Sequence, residues 1–101
     1  AGATLANPHL VREDAGSALE LTLVRSGQRS TYGEIVGKAA SGDVLFQMRG
    51  VAIYPEIARR TVRIPLTAEQ LARLKGSVRI EYREMPENGG GMIAAISSAI
   101  N

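Results

Sequence analysis

Few residues of this 101-residue sequence could do chemistry. His9 is the single histidine and cysteine is absent, so a catalytic triad or a histidine-based metal site would depend on His9 alone. His9 follows Asn7-Pro8 at an apparent strand edge, where a solvated side chain is the ordinary outcome. No group of carboxylates has the spacing of a metal site. The sequence therefore predicts a protein that binds no metal and no organic cofactor.

Three glutamates surround the glycine-rich segment near the end of the sequence, at Glu81, Glu84 and Glu87. Glycoside hydrolysis needs two carboxylates that flank the bond to be cleaved, and a strand end and a loop can present such a pair. However, acidic residues are common beside turns, and the chain has no Trp to stack on a sugar. A small carbohydrate-binding or hydrolytic module that uses the Glu81/Glu84 loop region is kept as the alternative hypothesis.

Arginine is the most informative residue type, with ten Arg against two Lys. Its guanidinium group binds carboxylates in a bidentate manner that Lys cannot reproduce. If the arginines converge, they would hold a carboxylate of a partner polypeptide; otherwise they form a solvated sheet surface balanced by glutamates. The predicted partner-binding residues are Arg49, Arg59, Arg60, Arg63 and Arg79.

Composition excludes several classes of protein. The net charge is only +2, and one Phe and three Tyr are too few for a basic surface interleaved with aromatic residues, so nucleic acid is not an expected partner. Hydrophobic residues make up 45%, which argues against disorder. No apolar run approaches the roughly 20 residues of a membrane-spanning helix, so no integral membrane segment is predicted.

Hydrophobic residues alternate with polar ones in several segments, which is typical of half-buried strands. The run from Thr61 to Leu66 is the clearest, and Ala18–Arg25 and Val78–Arg83 repeat it. In this pattern Arg63 and Arg79 face outward. The residues predicted to build the core are Leu19, Leu21, Leu23, Ile35, Val62, Ile64, Leu66, Val78, Ile80 and Tyr82.

Other segments predict local irregularities. Asn7-Pro8 makes the first strand an edge strand or a tail, because proline lacks the ladder donor. Gly33 and Gly37 suggest a bulge or close backbone packing in the strand Thr31 to Ala39. Gly50 predicts a bend at which the chain leaves one sheet and crosses to another.

About seven short strands separated by turn signals predict an all-β, immunoglobulin-like antiparallel β-sandwich that forms one domain over residues 1–101. A small barrel is the alternative. Thr67 and Gln70 form a capping-box pattern, which predicts one short helical turn near residues 67–75.

The run from Leu19 to Ile96 resembles the C-terminal immunoglobulin-like domain of bacterial periplasmic pilus-assembly chaperones. The segments that carry the resemblance are LELTLVRSGQRSTYGEI, GVAIYPEIARRTVRIPL and GSVRIEYRE. In that family two such domains form a boomerang, and the chaperone lends a strand to an incomplete pilus subunit. The basic residues that grip the subunit's terminal carboxylate lie chiefly on the other domain and have no match here.

The resemblance implies a cell-envelope setting, periplasmic or secreted. The beginning at Ala1 with small residues fits a mature protein that has lost a signal peptide, and it fits a shortened chain equally well. The favoured hypothesis is a non-catalytic cell-envelope protein-binding domain, such as a fimbrial or pilus assembly chaperone-like module. It would bind another polypeptide, such as a pilus subunit, through arginines and an exposed edge strand. The candidate edges are the first strand and the glycine-rich final hairpin.

Overall fold

Seven strands and two short helical segments make up residues 2–100, the part of the chain that this computed structural model describes. The strands are β1 (Ala3–Glu13), β2 (Gly16–Arg25), β3 (Thr31–Lys38), β4 (Val44–Ile53), β5 (Arg59–Leu66), β6 (Ser77–Glu84) and β7 (Met92–Ala99). The helical segments are α1 (Ala68–Arg73) and a 3-10 turn (Pro86–Asn88).

The strands form two antiparallel sheets. One sheet has the order β1-β2-β5, and the other has the order β4-β3-β6-β7. In immunoglobulin nomenclature these are an A-B-E sheet and a C′-C-F-G sheet. Among residues 2–100 the strands β1 and β7 approach each other across one side of the molecule without joining the two sheets into one. The all-β, immunoglobulin-like sandwich predicted from the sequence is confirmed.

The core lies between the inner faces of the two sheets. The predicted core residues other than Leu66 have exposed fractions of 0% to 3%, and they belong to one hydrophobic cluster. Leu66, at the end of β5, is half-buried at the margin of that cluster. Period-two alternation therefore assigned the inner face correctly in each strand where it was read.

A hydroxyl group is satisfied inside this core. Tyr82 is fully buried, and its hydroxyl donates a hydrogen bond of 2.9 Å to the carbonyl oxygen of Val51. The hydroxyl oxygen of Tyr82 lies 2.9 Å from Oγ1 of Thr31, so the Thr31 hydroxyl can donate to it. Burial raises the pKa of Tyr82, with an opposing contribution from Thr31, and the phenol stays protonated.

The predicted crossing of the chain at Gly50 is wrong. Gly33 pairs with Val51 and Ile35 pairs with Met48, so both halves of β4 pair with β3 in one sheet. β4 carries one extra residue between these two pairs, which is a β-bulge. Gly50 has φ of 71°, a value that glycine adopts readily. The glycine bends one strand within its sheet and does not move it to the other sheet.

The other local predictions agree with the structure. Thr67 Oγ1 accepts from the Gln70 amide at 3.0 Å, and Gln70 Oε1 accepts from the Thr67 amide at 2.9 Å, which completes the capping box. Gly37 lies so close to Phe46 that an added Cβ would be 2.2 Å from its ring. No helix within residues 2–100 has the length and apolar character to cross a membrane.

Candidate functional site

Glu81 lies at the centre of the outer face of the four-stranded sheet. It is the one charged residue that is buried among residues 2–100, with 4% of its surface exposed. Arg79 and Arg83 flank it on β6 and donate through Nε at 2.9 Å each, and Nζ of Lys38 on β3 lies 3.1 Å away. We call these four residues the Glu81 cluster. Three cations around one carboxylate leave the cluster with a net charge of +2.

The cluster holds Glu81 in its ionised form. Burial on its own would raise the pKa of Glu81, but the hydrogen bonds from Arg79, Arg83 and Lys38 outweigh it and lower the pKa from 4.5 to about 2. A glycosidase general acid needs the opposite shift, toward a raised pKa. The geometry therefore disfavours the role of acid catalyst for Glu81.

A second set of ion pairs lies on the outer face of the three-stranded sheet. Arg63 on β5 donates to Oε2 of Glu20 at 2.8 Å and lies 3.1 Å from Glu13. Nε2 of His9 is 3.4 Å from the other oxygen of Glu20. The hydrogen bond from Arg63 lowers the pKa of Glu20. His9 thus contacts a surface ion pair and has no nucleophilic side chain beside it among these contacts.

The remaining predicted arginines lie elsewhere. Arg49 on β4 is 3.3 Å from Glu34 on the neighbouring strand β3. Arg60, by contrast, donates to the carbonyl oxygen of Ala52 on β4 at 2.6 Å. It therefore links the edges of the two sheets. Arg59 is exposed at the start of β5.

The structure does not bring the predicted arginines to one place. Arg63 alternates with buried residues of one sheet and Arg79 with buried residues of the other, so the two side chains point away from opposite faces of the sandwich. The sequence pattern pointed to both arginines but not to Glu81 as the ionic partner of Arg79. The signal was available, because Arg79, Glu81 and Arg83 are two residues apart and must share one face of a strand.

The sandwich has four edge strands, and β1 and β5 each carry features that oppose pairing with another chain. In β1, Pro8 lacks a donor and the register shifts between Ala6 and His9. β5 contains Pro65 and three arginines. Both strands therefore present interrupted or charged edges.

β4 is protected in a different way. It is bulged against β3 near Gly50 and again near Val44, where the partner register shifts. The guanidinium of Arg60 also donates a hydrogen bond to the backbone oxygen of Ala52. An incoming strand would meet a bent edge on which one acceptor is already bonded.

β7 has fewer such features: its register with β6 shifts once, between Met92 and Ala94, and β1 lies near it. Its sequence MIAAISSA contains no proline, no glycine and no charged residue. From Ala94 to Ala99 its register with β6 is regular. The outward-facing residues Ala95, Ser97 and Ala99 are small and exposed, and the inward-facing Ala94, Ile96 and Ser98 are only half-buried. This strand belongs to the final hairpin that the sequence indicated as a candidate edge.

An open depression of about 670 Å³ lies at the end of the sandwich where the β2–β3 loop meets the turn before β7. Tyr32 and Met92 line it and are exposed by 51% and 44%, and Arg29 and Glu84 contribute opposite charges. Glu84 is the one carboxylate among the described lining residues, whereas a glycosidase site needs two. Sequence reasoning singled out Glu84 but not the depression.

Within residues 2–100 no three acidic or histidine side chains come together as metal ligands. Comparison with protein-family models, curated proteins and solved structures finds no match for the chain. The resemblance to pilus-assembly chaperones therefore stays a prediction, and a function is argued from the edges and charges described above.

Proposed function

We propose that this chain is a non-catalytic protein-binding domain that binds an extended segment of another polypeptide by adding it as a strand to β7. The observation that carries the proposal is the contrast between the four sheet edges. β1 and β5 contain proline, β5 also carries three arginines, and β4 is bulged twice. β7 has no proline and no charged residue, and its one register shift is confined to the Met92 end. Proteins that do not use an edge for pairing commonly protect it with such features.

The affinity of strand addition comes from two sources. The outer edge of β7 presents backbone N–H and C=O groups that its single sheet neighbour, β6, does not pair. The inward-facing Ala94 and Ile96 are half-buried against the core cluster, so alternate side chains of an added strand would bury them further. Main-chain hydrogen bonds would provide the affinity. The inward-facing Ala94 and Ile96 would favour a partner sequence in which hydrophobic and polar residues alternate.

The cell-envelope setting of the proposal rests on the resemblance of Leu19–Ile96 to the chaperone domain. A periplasmic or secreted domain of this kind would meet unfolded or extended segments of envelope proteins, such as pilus subunits. Expression of the full-length protein with a reporter enzyme that is active only outside the cytoplasm would test this setting. Activity confined to the cytoplasm would contradict it.

The experiment that tests strand addition starts from peptides selected on the immobilised domain from a random display library. Neighbouring residues of an antiparallel edge strand point their N–H groups in opposite directions, one toward β6 and one toward the open edge. Ala94→Pro and Ala95→Pro therefore form a matched pair. One variant removes a ladder donor and lowers the melting temperature, and the other removes an open-edge donor with little change in stability.

The variant that keeps its melting temperature is expected to bind the selected peptides about tenfold more weakly or worse. Nuclear Overhauser contacts from bound peptide to Ala95 and Ser97 would locate the peptide on β7. A library that yields no binder contradicts the proposal. Unchanged affinity in the fold-preserving variant contradicts it as well. Turnover of a glycan or ester that Glu81→Gln abolishes would favour the hydrolytic alternative.

A further inference from the structure

The outer face beside β7 carries the positive charge of the Glu81 cluster, and from it we infer which strand the edge accepts. We propose that β7 selects an acidic extended segment, in which alternate residues are Asp or Glu and face the side of the Glu81 cluster. This inference rests on the proposed function, because it needs a strand bound at β7. It goes further in naming the chemistry of the partner.

The register of β6 and β7 places the three β6 members of the cluster one strand away from the open edge. Ser97 pairs with Arg79, and Ala95 pairs with Glu81. An added strand would lie about 4.8 Å beyond β7, so its outward side chains would be roughly 10 Å from the β6 backbone. Because Ser97 and Ala95 are small, they leave the space above β7 open. A long Arg side chain and a carboxylate can meet across that space.

The cations of the cluster keep donors for such a carboxylate. Arg79 is bonded to Glu81 through Nε, and its side chain is 50% exposed. A guanidinium has two further terminal nitrogens, which offer a bidentate fork. Arg83 uses Nε for Glu81 and one terminal nitrogen for the carbonyl oxygen of Gly90 at 3.2 Å, so one terminal nitrogen remains.

Charge also argues against a second copy of this chain as the occupant. The sequence of β7 contains no acidic residue. Pairing β7 with its own copy would place two clusters, each with a net charge of +2, on one face of a continuous sheet, with the two β7 strands between them. Like charges on one face repel each other, most strongly at low salt. An acidic segment removes this repulsion and compensates the surplus charge.

Three synthetic peptides of about seven residues test the inference, each with Val at alternate positions and Glu, Ser or Lys between them. Their affinities are measured by fluorescence polarisation at low and at physiological salt. The Glu peptide is expected to bind about tenfold more tightly than the Ser peptide, the result of two exposed ion pairs. The difference should shrink as salt rises, and the Lys peptide should bind most weakly.

Arg79→Gln and Arg63→Gln are the diagnostic variants. Arg79→Gln should reduce the preference for the Glu peptide to about threefold or less while leaving the Ser peptide unaffected. Arg63 lies on the opposite outer face, so Arg63→Gln should keep the full preference. Melting temperatures of both variants exclude loss of fold as the cause, and the salt dependence of the wild-type chain tests the same charges without any substitution.

The outcomes separate this inference from the proposed function. If all three peptides bind equally and the fold-preserving variant of Ala94→Pro and Ala95→Pro weakens them, strand addition stands and acidic selection fails. A tighter Lys peptide, or equal effects of Arg79→Gln and Arg63→Gln, also overturns the selection. Concentration-dependent dimers that the same proline variant abolishes overturn the acidic occupant in favour of a second copy. If no peptide binds, the proposed function itself fails.

Discussion

Glu81 and Tyr82 are neighbours in the sequence but lie on opposite sides of β6. Tyr82 points into the core, where its hydroxyl bonds to Val51, and Glu81 points outward, where three cations cover it. Both are polar groups removed from water, and both have partners. Such groups are costly when a partner is lost. Loss of a hydrogen-bond partner of either residue should therefore lower the stability of the whole domain.

The depressed pKa of Glu81 predicts a loss of stability in acid. Its folded value of about 2 lies below the ordinary value of 4.5. The contribution is therefore fully present above about pH 5, and it is lost as the pH falls toward 2. The difference amounts to on the order of 3 kcal/mol of unfolding free energy. Urea unfolding of the wild-type chain and Glu81→Gln across this range measures it.

Glu81→Gln should be less stable than the wild type at neutral pH, and the two curves should converge as the pH approaches 2. Glu87→Gln is the matched control, because Glu87 is exposed in the turn before β7. That variant should follow the wild-type curve throughout. Parallel curves for the wild type and Glu81→Gln would contradict the assignment of the acid-sensitive group.

Gly37 gives a second prediction at the scale of one residue. A methyl group there would lie 2.2 Å from the ring of Phe46, so Gly37→Ala must displace a buried aromatic side chain. Overpacking of this kind costs about 1–3 kcal/mol of unfolding free energy. Gly27→Ala is the control, since its nearest neighbour would be 3.7 Å away. Urea unfolding compares the two; equal effects would show that Phe46 moves without cost.

Residue identity alone predicted some of these features and not others. Gly37 was expected to mark close backbone packing because glycine weakens a strand unless space requires it. The position of the Arg60 side chain could not be predicted. By alternation it belongs to the inward-facing side of β5, with Val62 and Ile64, yet it donates to a backbone oxygen of the other sheet. That contact depends on how two sheet edges meet. A short-range pattern does not contain this information.

At the scale of elements, alternation was sufficient to orient the strands that build the core. Leu21 on β2 and Ile64 on β5 are exposed by 1% and 3%. Replacing either with Ala should lower the unfolding free energy by about 2–5 kcal/mol, through lost burial and the cavity left behind. Thr61→Ala, on the exposed face of β5, should stay within about 0.5 kcal/mol of the wild type. Chemical denaturation checks all three.

A change below about half a kcal/mol in both core variants would contradict the assigned strand facing.

Alternation was less informative for β4, where Gly50 was taken for a crossing between sheets. A bulge and a crossing can each include a glycine with positive φ, so the same glycine is compatible with either. Only the pairing of Val51 with Gly33 distinguishes them.

The strand that the sequence described least well is β7, which forms the candidate site. The final hairpin was recognised as an edge, and β1 was proposed beside it. Their difference became clear only when the register placed the bulge of β1 at Pro8 and the regular pairing of β7 from Ala94 onward. Edge position depends on the order of strands in a sheet. The sequence pattern of one strand does not determine that order.

At the scale of the whole molecule, the two sheets share one hydrophobic cluster. Leu21 and Leu23 of one sheet belong to the same buried set as Ile80 and Tyr82 of the other. Neither sheet can expose its inner face without exposing that of its partner. The described residues should therefore unfold as one cooperative unit, as is usual for small domains with one core.

This cooperativity can be measured with a single reporter. The chain has three tyrosines and no tryptophan, and Tyr32 and Tyr54 are about half exposed. Replacing these two with Phe leaves Tyr82 as the one tyrosine, buried on the four-stranded sheet. Its near-ultraviolet circular dichroism should disappear at the same urea concentration at which the far-ultraviolet signal of all strands is lost.

Adding Leu21→Ala on the three-stranded sheet should lower both unfolding midpoints equally, whereas Thr61→Ala should leave both midpoints unchanged. A Tyr82 signal that survives the loss of the far-ultraviolet signal, or a Leu21→Ala effect confined to one probe, would mean that the sheets unfold separately.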